Sequence, residues 1–156
     1  MADVKTSRPS LDEYFLNIAK VTATRSTCRH RQQGAVLVRD NRIISCGYNG
    51  SPPGMPHCID LDCAKAQGAP CRAEGLHGET NAVASAARMG ISTKDAVCYC
   101  IYSPCLACCN LLKTAGIKEV VYSEVYSGYP EGPVYLDRLG VRSRMYPLTV
   151  HLTVCP

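Results

Sequence analysis

Apolar positions first recur at helical spacing over Leu11, Tyr14, Phe15, Ile18 and Ala19, and Ser10 with Glu13 forms a capping box in front of them. The pattern predicts a helix from Ser10 to near Arg25. The period then shortens. Apolar runs at 35–38 and 43–46 flank Asp40–Asn41, a pair that favours turns, so "GAVLVRDNRIISCGYNG" predicts a β-hairpin closed by Gly47 and Gly50. From 51 to 75 there is no period at all, only proline, glycine and cysteine, and a loop that long in a compact domain needs something to tie it down.

Regularity returns with an alanine-rich helix at 78–89, stopped by Gly90, followed by a strand at 95–102. A helix at 105–115 ends at Gly116, and "KEVVYS" makes the next strand. A looser segment with Tyr126 and Tyr129 leads to a short helix before Gly140, and "VRSRMYPLTV" is the last strand. The order α-β-β-α-β-α-β-α-β predicts an α/β fold, one mixed sheet with helices on its faces and no internal repeat. Its fourth and fifth strands, joined through a helix, are expected to lie parallel.

Composition narrows the setting. At 156 residues, with 46% hydrophobic and 19% charged, residues 1–156 read as one globular domain. No apolar run resembles a signal peptide or approaches the roughly 20 residues of a membrane span, which points to a cytoplasmic protein without a membrane partner. Eleven cysteines, an odd number, argue against a complete disulfide framework and for metal ligation and buried thiols. The net charge of +4 is mild, with one basic cluster at Arg25, Arg29, His30 and Arg31, so small anionic ligands fit better than nucleic acid.

The candidate chemistry lies at two predicted helix starts. "LHGETNAV" places His77 and Glu79 at one, and "SPCLACC" places Cys105 and Cys108 at the other. If the two ends meet, one imidazole and two thiolates give zinc three protein ligands and leave a fourth position open, as in a catalytic site. Zinc lowers the pKa of bound water towards about 7 in the best-known enzyme site. Glu79, near but not ligating, suits general acid/base work. H-x-E followed by P-C-x-x-C is the signature of zinc nucleobase deaminases. Each half alone is weak: H-x-E is usually accidental, and C-x-x-C also serves redox and closed structural sites. Cys109 competes with Cys108, since the two lie about 60° and 40° to either side of Cys105 on a helix. Depth separates them: Cys109 sits further down the barrel, which assigns it to packing.

These motifs, with "RPSLDEYFLNIAKVTATRSTC", "QGAVLVRDNRIISCGYNGSPPGMPHC", "HGETNAV" and "SPCLACCNLLKTAGIKEVVY", make the chain resemble the cytidine deaminase superfamily. Within it the chain is most similar to the deoxycytidylate (dCMP) deaminases, including late-competence-type bacterial and phage members. Two departures stand out: Gly78 replaces the usual alanine between histidine and glutamate, and "SEVYSGYPEGPVYL" is not typical. The resemblance implies a three-layer α-β-α fold with a five-stranded mixed sheet, and hydrolysis of dCMP to dUMP and ammonia, which supplies thymidylate synthesis. It implies zinc on His77, Cys105 and Cys108, Glu79 as the proton carrier, the Gly78 amide on the ring O2, the Ser103 carbonyl on the amino group and Asn49 on the sugar. For the 5′-phosphate it points to Arg25, with Arg29 or Arg31 behind it. It also implies dCTP and dTTP as effectors, Mg2+ accompanying dCTP, an effector region at Gly47, Tyr48, Asn49 and Gly50, and a homohexamer, with trimer or dimer as alternatives.

The remaining cysteines divide into two groups. Cys28, Cys58, Cys63 and Cys71 are candidates for a second, structural zinc that would hold the long loop, with His57 or His30 able to replace one of them. Cys46, Cys98 and Cys100 lie in predicted strands and read as core. Two rival functions remain: deamination of another cytosine- or adenine-bearing substrate, such as a free base, a nucleoside or tRNA, and a non-catalytic zinc-stabilised binding module. The His77–Glu79 pair argues against the second, because a closed structural site has no use for a carboxylate beside an open position.

Overall fold

The computed structural model describes residues 8–61 and 75–148. Helix α1 (Leu11–Ala23) starts where the capping box places it, with the Glu13 amide donating to Ser10 Oγ at 3.1 Å. Strands β1 (Gly34–Arg39) and β2 (Arg42–Tyr48) follow as the hairpin. At its tip Asp40 and Asn41 both take positive φ, 51° and 58°, the backbone that two-residue hairpin turns require and these residue types tolerate. After a short 3₁₀ turn at Cys58–Asp60 come α2 (Gly78–Arg88), β3 (Val97–Tyr102), α3 (Leu106–Thr114), β4 (Glu119–Glu124), α4 (Gly132–Arg138) and β5 (Arg142–Met145). The last strand is shorter than its apolar pattern predicts.

The sheet runs β2-β1-β3-β4-β5. β1 pairs antiparallel with β2 and β3, while β3–β4 and β4–β5 are parallel, so the expected parallel pairing of the last two strands holds and extends to the third. Side chains alternate across the sheet. Val36, Val38, Tyr99 and Val121 meet Phe15, Leu16 and Ala19 of α1 on one face. Ala35, Leu37, Cys98, Cys100, Val120 and Tyr122 meet Ala82 of α2, Cys109 and Leu112 of α3 and Leu136 of α4 on the other. Three layers result, α1 against the sheet against α2, α3 and α4.

Cys98 and Cys100 lie in that core, as their alternation predicts, but Cys46 is exposed. Its neighbours on the edge strand explain this: Ser45 turns towards α2, donating to the Ala82 carbonyl at 2.7 Å, so Cys46 points the other way. At the open end of the hairpin, Gly34 begins β1 in direct contact with α1, and a Cβ there would overlap the Ala19 carbonyl and come within 2.7 Å of the Ala23 amide nitrogen. Only glycine allows that approach. Among the described residues no helix is long and apolar enough to cross a membrane.

Candidate active site and metal centre

His77 and Cys105 are the N-cap residues of α2 and α3, both with extended backbone, and neither side chain caps its own helix. Freed from capping, they converge. His77 Nδ1 lies 3.3 Å from Cys105 Sγ and 3.4 Å from Cys108 Sγ, and the three ligand atoms all fall within 4.8 Å of one another. Cys108 is buried in the first turn of α3, Cys105 is half-buried and His77 is exposed. The Thr80 hydroxyl lies 3.7 Å from Cys108 Sγ. Cys109 is fully buried in the core, with its thiol directed at the Pro104 and Gly132 carbonyls and its pKa pushed up to about 12 by burial.

The two thiols of the cluster behave as a pair. A hydrogen bond from the Cys108 thiol, followed by the one from His77, holds Cys105 down at about 4, and the same Cys105–Cys108 bond pushes Cys108 up. His77 is raised, first by its hydrogen bond to Cys105. Such a pair keeps one proton until a cation displaces it, which is how thiolate sites couple metal affinity to pH. An imidazole and two sulfurs at the positive ends of two helices are the donor set of a zinc site with a coordination position to spare.

Beside the cluster, Glu79 is 2% exposed. Burial raises its pKa, Oε1 accepts from Gln33 Nε2 at 3.1 Å, and Oε2 has no partner. A buried carboxylate oxygen left unpaired is costly, and in a native site it marks a place reserved for something else. The carboxylate faces a cavity of about 220 Å³ whose wall includes His77, Glu79, Cys105, Ser103, Asn49 and Arg31.

Other residues singled out in the sequence fall into place unevenly. Asn49 lines the cavity, but its amide is largely committed: Oδ1 accepts from Ser26 Oγ (2.6 Å) and the Gln33 amide (2.7 Å), and Nδ2 donates to the Arg31 carbonyl (2.8 Å). It braces the segment ahead of β1 and retains one N–H for a ligand. The rest of Gly47–Gly50 runs along the start of α2, where Tyr48 O accepts from Asn81 Nδ2 at 2.6 Å and Gly50 pairs with Leu76. Ser103 is buried, its hydroxyl accepting from the Tyr126 amide at 2.8 Å.

Arg25 is exposed and does not line the cavity, and Arg29 is exposed and donates to the Ile59 carbonyl at 2.5 Å. Arg31 does line it. Its guanidinium lies between the rings of Tyr102 (4.7 Å) and Tyr126 (4.6 Å), Nη2 donates to Ser127 Oγ at 3.2 Å, and Nη1 is buried with no partner. Cys28 and Cys58 line the same cavity, whereas Cys63 and Cys71 lie outside the described residues. Gln33 was missed by sequence reasoning: it is one of two adjacent glutamines, and its partners lie 46 and 69 residues away.

Residues 9–124 match the family described as the cytidine and deoxycytidylate deaminase zinc-binding region. The deoxycytidylate deaminase of Schizosaccharomyces pombe is 40% identical over 145 residues, covering 89% of this chain and 45% of that protein. ComE operon protein 2 of Bacillus subtilis is 37% identical over 134 residues, covering 86% of this chain and 70% of that protein. The chain therefore spans less than half the length of the yeast relative. The crystal structure of dCMP deaminase from cyanophage S-TIM5, in complex with dCMP and dUMP, superimposes with a TM-score of 0.79 at 28% identity, over 90% of this chain and 99% of that one. With His77, Glu79, Cys105 and Cys108 all inside the matched span, the chain belongs to the cytidine and deoxycytidylate deaminase family.

Proposed function

We propose that this chain hydrolyses dCMP to dUMP and ammonia. The observation that carries the reading is a buried carboxylate with one free oxygen beside a His–Cys–Cys donor set, in a cavity large enough to admit a pyrimidine. Zinc held by His77, Cys105 and Cys108 supplies, when bound, a Lewis acid that makes water nucleophilic at neutral pH. Glu79 carries the protons: its carboxylate accepts one from the attacking water and delivers it to N3 of the cytosine, then takes the second from the hydroxyl now on C4 and passes it to the departing amine, so that water and dCMP give dUMP and ammonia. The Gly78 amide on the ring O2, the Ser103 carbonyl on the amino group and the remaining Asn49 N–H on the sugar orient the nucleotide.

For the 5′-phosphate we assign Arg31 in place of Arg25. The tyrosine rings fix the plane of its guanidinium, so little side-chain freedom is lost on binding, and Nη1 is without a partner. Activation by dCTP with Mg2+, inhibition by dTTP, a second zinc that uses Cys28 and Cys58, and assembly into a homohexamer belong to the same proposal. Ammonia release measured across cytosine, deoxycytidine, CMP, dCMP and dCTP, with and without dCTP or dTTP as effector, tests it. dCMP ranks first if the reading is right, and equal rates for dCMP and deoxycytidine would remove the phosphate from it. Zinc per chain and sedimentation of the same preparation read the metal count and the assembly.

A further inference from the structure

We propose that Gln33 is a positioning residue for proton transfer, holding the Glu79 carboxylate by Oε1 so that Oε2 is the oxygen that carries the proton. The inference rests on the proposed role of Glu79 and adds to it a residue from a different part of the chain. Gln33 is 8% exposed and immediately precedes β1, which lies beside β3 in the sheet. Its side-chain amide docks on the last residue of β3: Oε1 accepts from the Tyr102 N–H at 3.1 Å, and Nε2 donates to the Tyr102 carbonyl at 3.1 Å. A backbone N–H only donates and a carbonyl only accepts, so these two bonds leave one orientation for the amide.

That orientation aims the second Nε2 hydrogen at Glu79 Oε1, 3.1 Å away. Both hydrogens of Nε2 are then used, and flipping the amide would break three bonds at once. Oε1 already faces a donor, and a proton placed there would meet Nε2–H, so the proton goes to Oε2, which is buried and without a partner. Without the clamp, the last torsion of Glu79 has a broad, roughly two-fold profile and either oxygen can present itself. The Gln33 backbone is held as firmly, its N–H donating to Asn49 Oδ1 (2.7 Å) and its carbonyl accepting from the Asn49 N–H (3.0 Å).

The neighbouring glycine fits the same arrangement. A Cβ at Gly78 would lie 3.0 Å from the Gln33 carbonyl oxygen and 3.3 Å from Gln33 Cγ, closer than side chains normally pack. Glycine at position 78 thus leaves room for Gln33.

Gln33→Met, similar in length and without hydrogen-bonding capacity, tests the clamp. The expected result is a kcat for dCMP lower by roughly ten- to a hundredfold, the size of one hydrogen bond to a charged group, with KM and zinc content close to those of the parent protein. A Gln33→Met protein with unchanged kcat overturns the proposal, as does one whose kcat falls only together with zinc content or folded fraction. A readout independent of turnover is the exchange of the Gln33 side-chain amide protons by NMR, slow in the parent protein and faster in Glu79→Ala. If the parent protein releases no ammonia from any cytosine substrate, the proposed function fails, while rapid exchange of those protons removes the clamp itself.

Discussion

Two polar clusters in this molecule are built from the same residue types and differ in what they leave over. Between α1 and the β4–β5 edge, Arg144 donates to both oxygens of Asp12 at 2.7 and 2.8 Å and to Glu119 at 2.6 Å, and Asp12 also accepts from the Tyr99 hydroxyl at 3.0 Å. At the cavity, Glu79 has one oxygen satisfied and Arg31 one nitrogen free. Among the described residues, Glu79 Oε2 and Arg31 Nη1 are the two buried side-chain polar atoms without a hydrogen-bond partner, and both residues line the same cavity. A satisfied cluster ties elements together, whereas an unsatisfied one costs stability and persists where a ligand completes it.

Removing Glu79 should break this contrast most sharply. Glu79→Ala is expected to lower ammonia release by about a hundred- to ten-thousandfold, the usual range for a positioned acid/base. Zinc per chain should stay at the parent value; a variant with full activity would sink the mechanism. The metal half of the site is separated by Cys108→Ala and Cys109→Ala. The first should lose zinc and melt lower, because bound metal contributes to folding. The second should keep its zinc, since Cys109 points into the core.

Arg31→Ala addresses the other unsatisfied atom. It should reduce kcat/KM for dCMP by roughly ten- to a hundredfold while largely sparing deoxycytidine, as loss of a hydrogen bond between charged groups predicts. Arg25→Ala, on the exposed turn, is the control and should change neither. Equal losses for both substrates in Arg31→Ala would move the phosphate elsewhere.

The satisfied cluster should respond in the opposite way. Asp12 is held below its ordinary pKa, first by its hydrogen bonds to Arg144, so its stabilisation is present above the unfolded value and is lost as pH falls through the folded one. Asp12→Asn should therefore flatten the acid side of the stability profile and leave kcat unchanged. The pair is partly exposed, with side-chain accessibilities of 33% and 22%, so screening keeps the effect small. A loss of about 1 kcal/mol, or some 2–4 °C in Tm for a chain of this size, is the expected scale.

What could be read from the sequence follows the range of the interactions. The α1 cap, the Asp40–Asn41 turn and the two ligand-bearing helix starts depend on residues within a few positions of one another, and each forms where the local pattern places it. Gln33 and Arg31 depend on β1 lying against β3 and on Tyr126 folding back over the end of β3, pairings across 69 and 95 residues that leave no periodic trace. The one local hint was a pair of glutamines ahead of the glycine that opens a buried strand, where an apolar residue would be ordinary. Cys46 failed for a related reason: strand alternation says which residues share a face, but not that its strand is the edge of the sheet.

With Gln33 holding Glu79 as proposed, the contact between Gly34 and α1 would give the helix leverage over turnover. Because the first residue of β1 rests on the main chain of Ala19 and Ala23, any bulk added there has to lift the strand, and Gln33 is the residue just before it. Random mutagenesis scored by ammonia release should therefore recover slow variants on α1, on the far side of the sheet from the cavity, that fold and hold zinc normally. They would be mechanical faults, transmitted through one glycine.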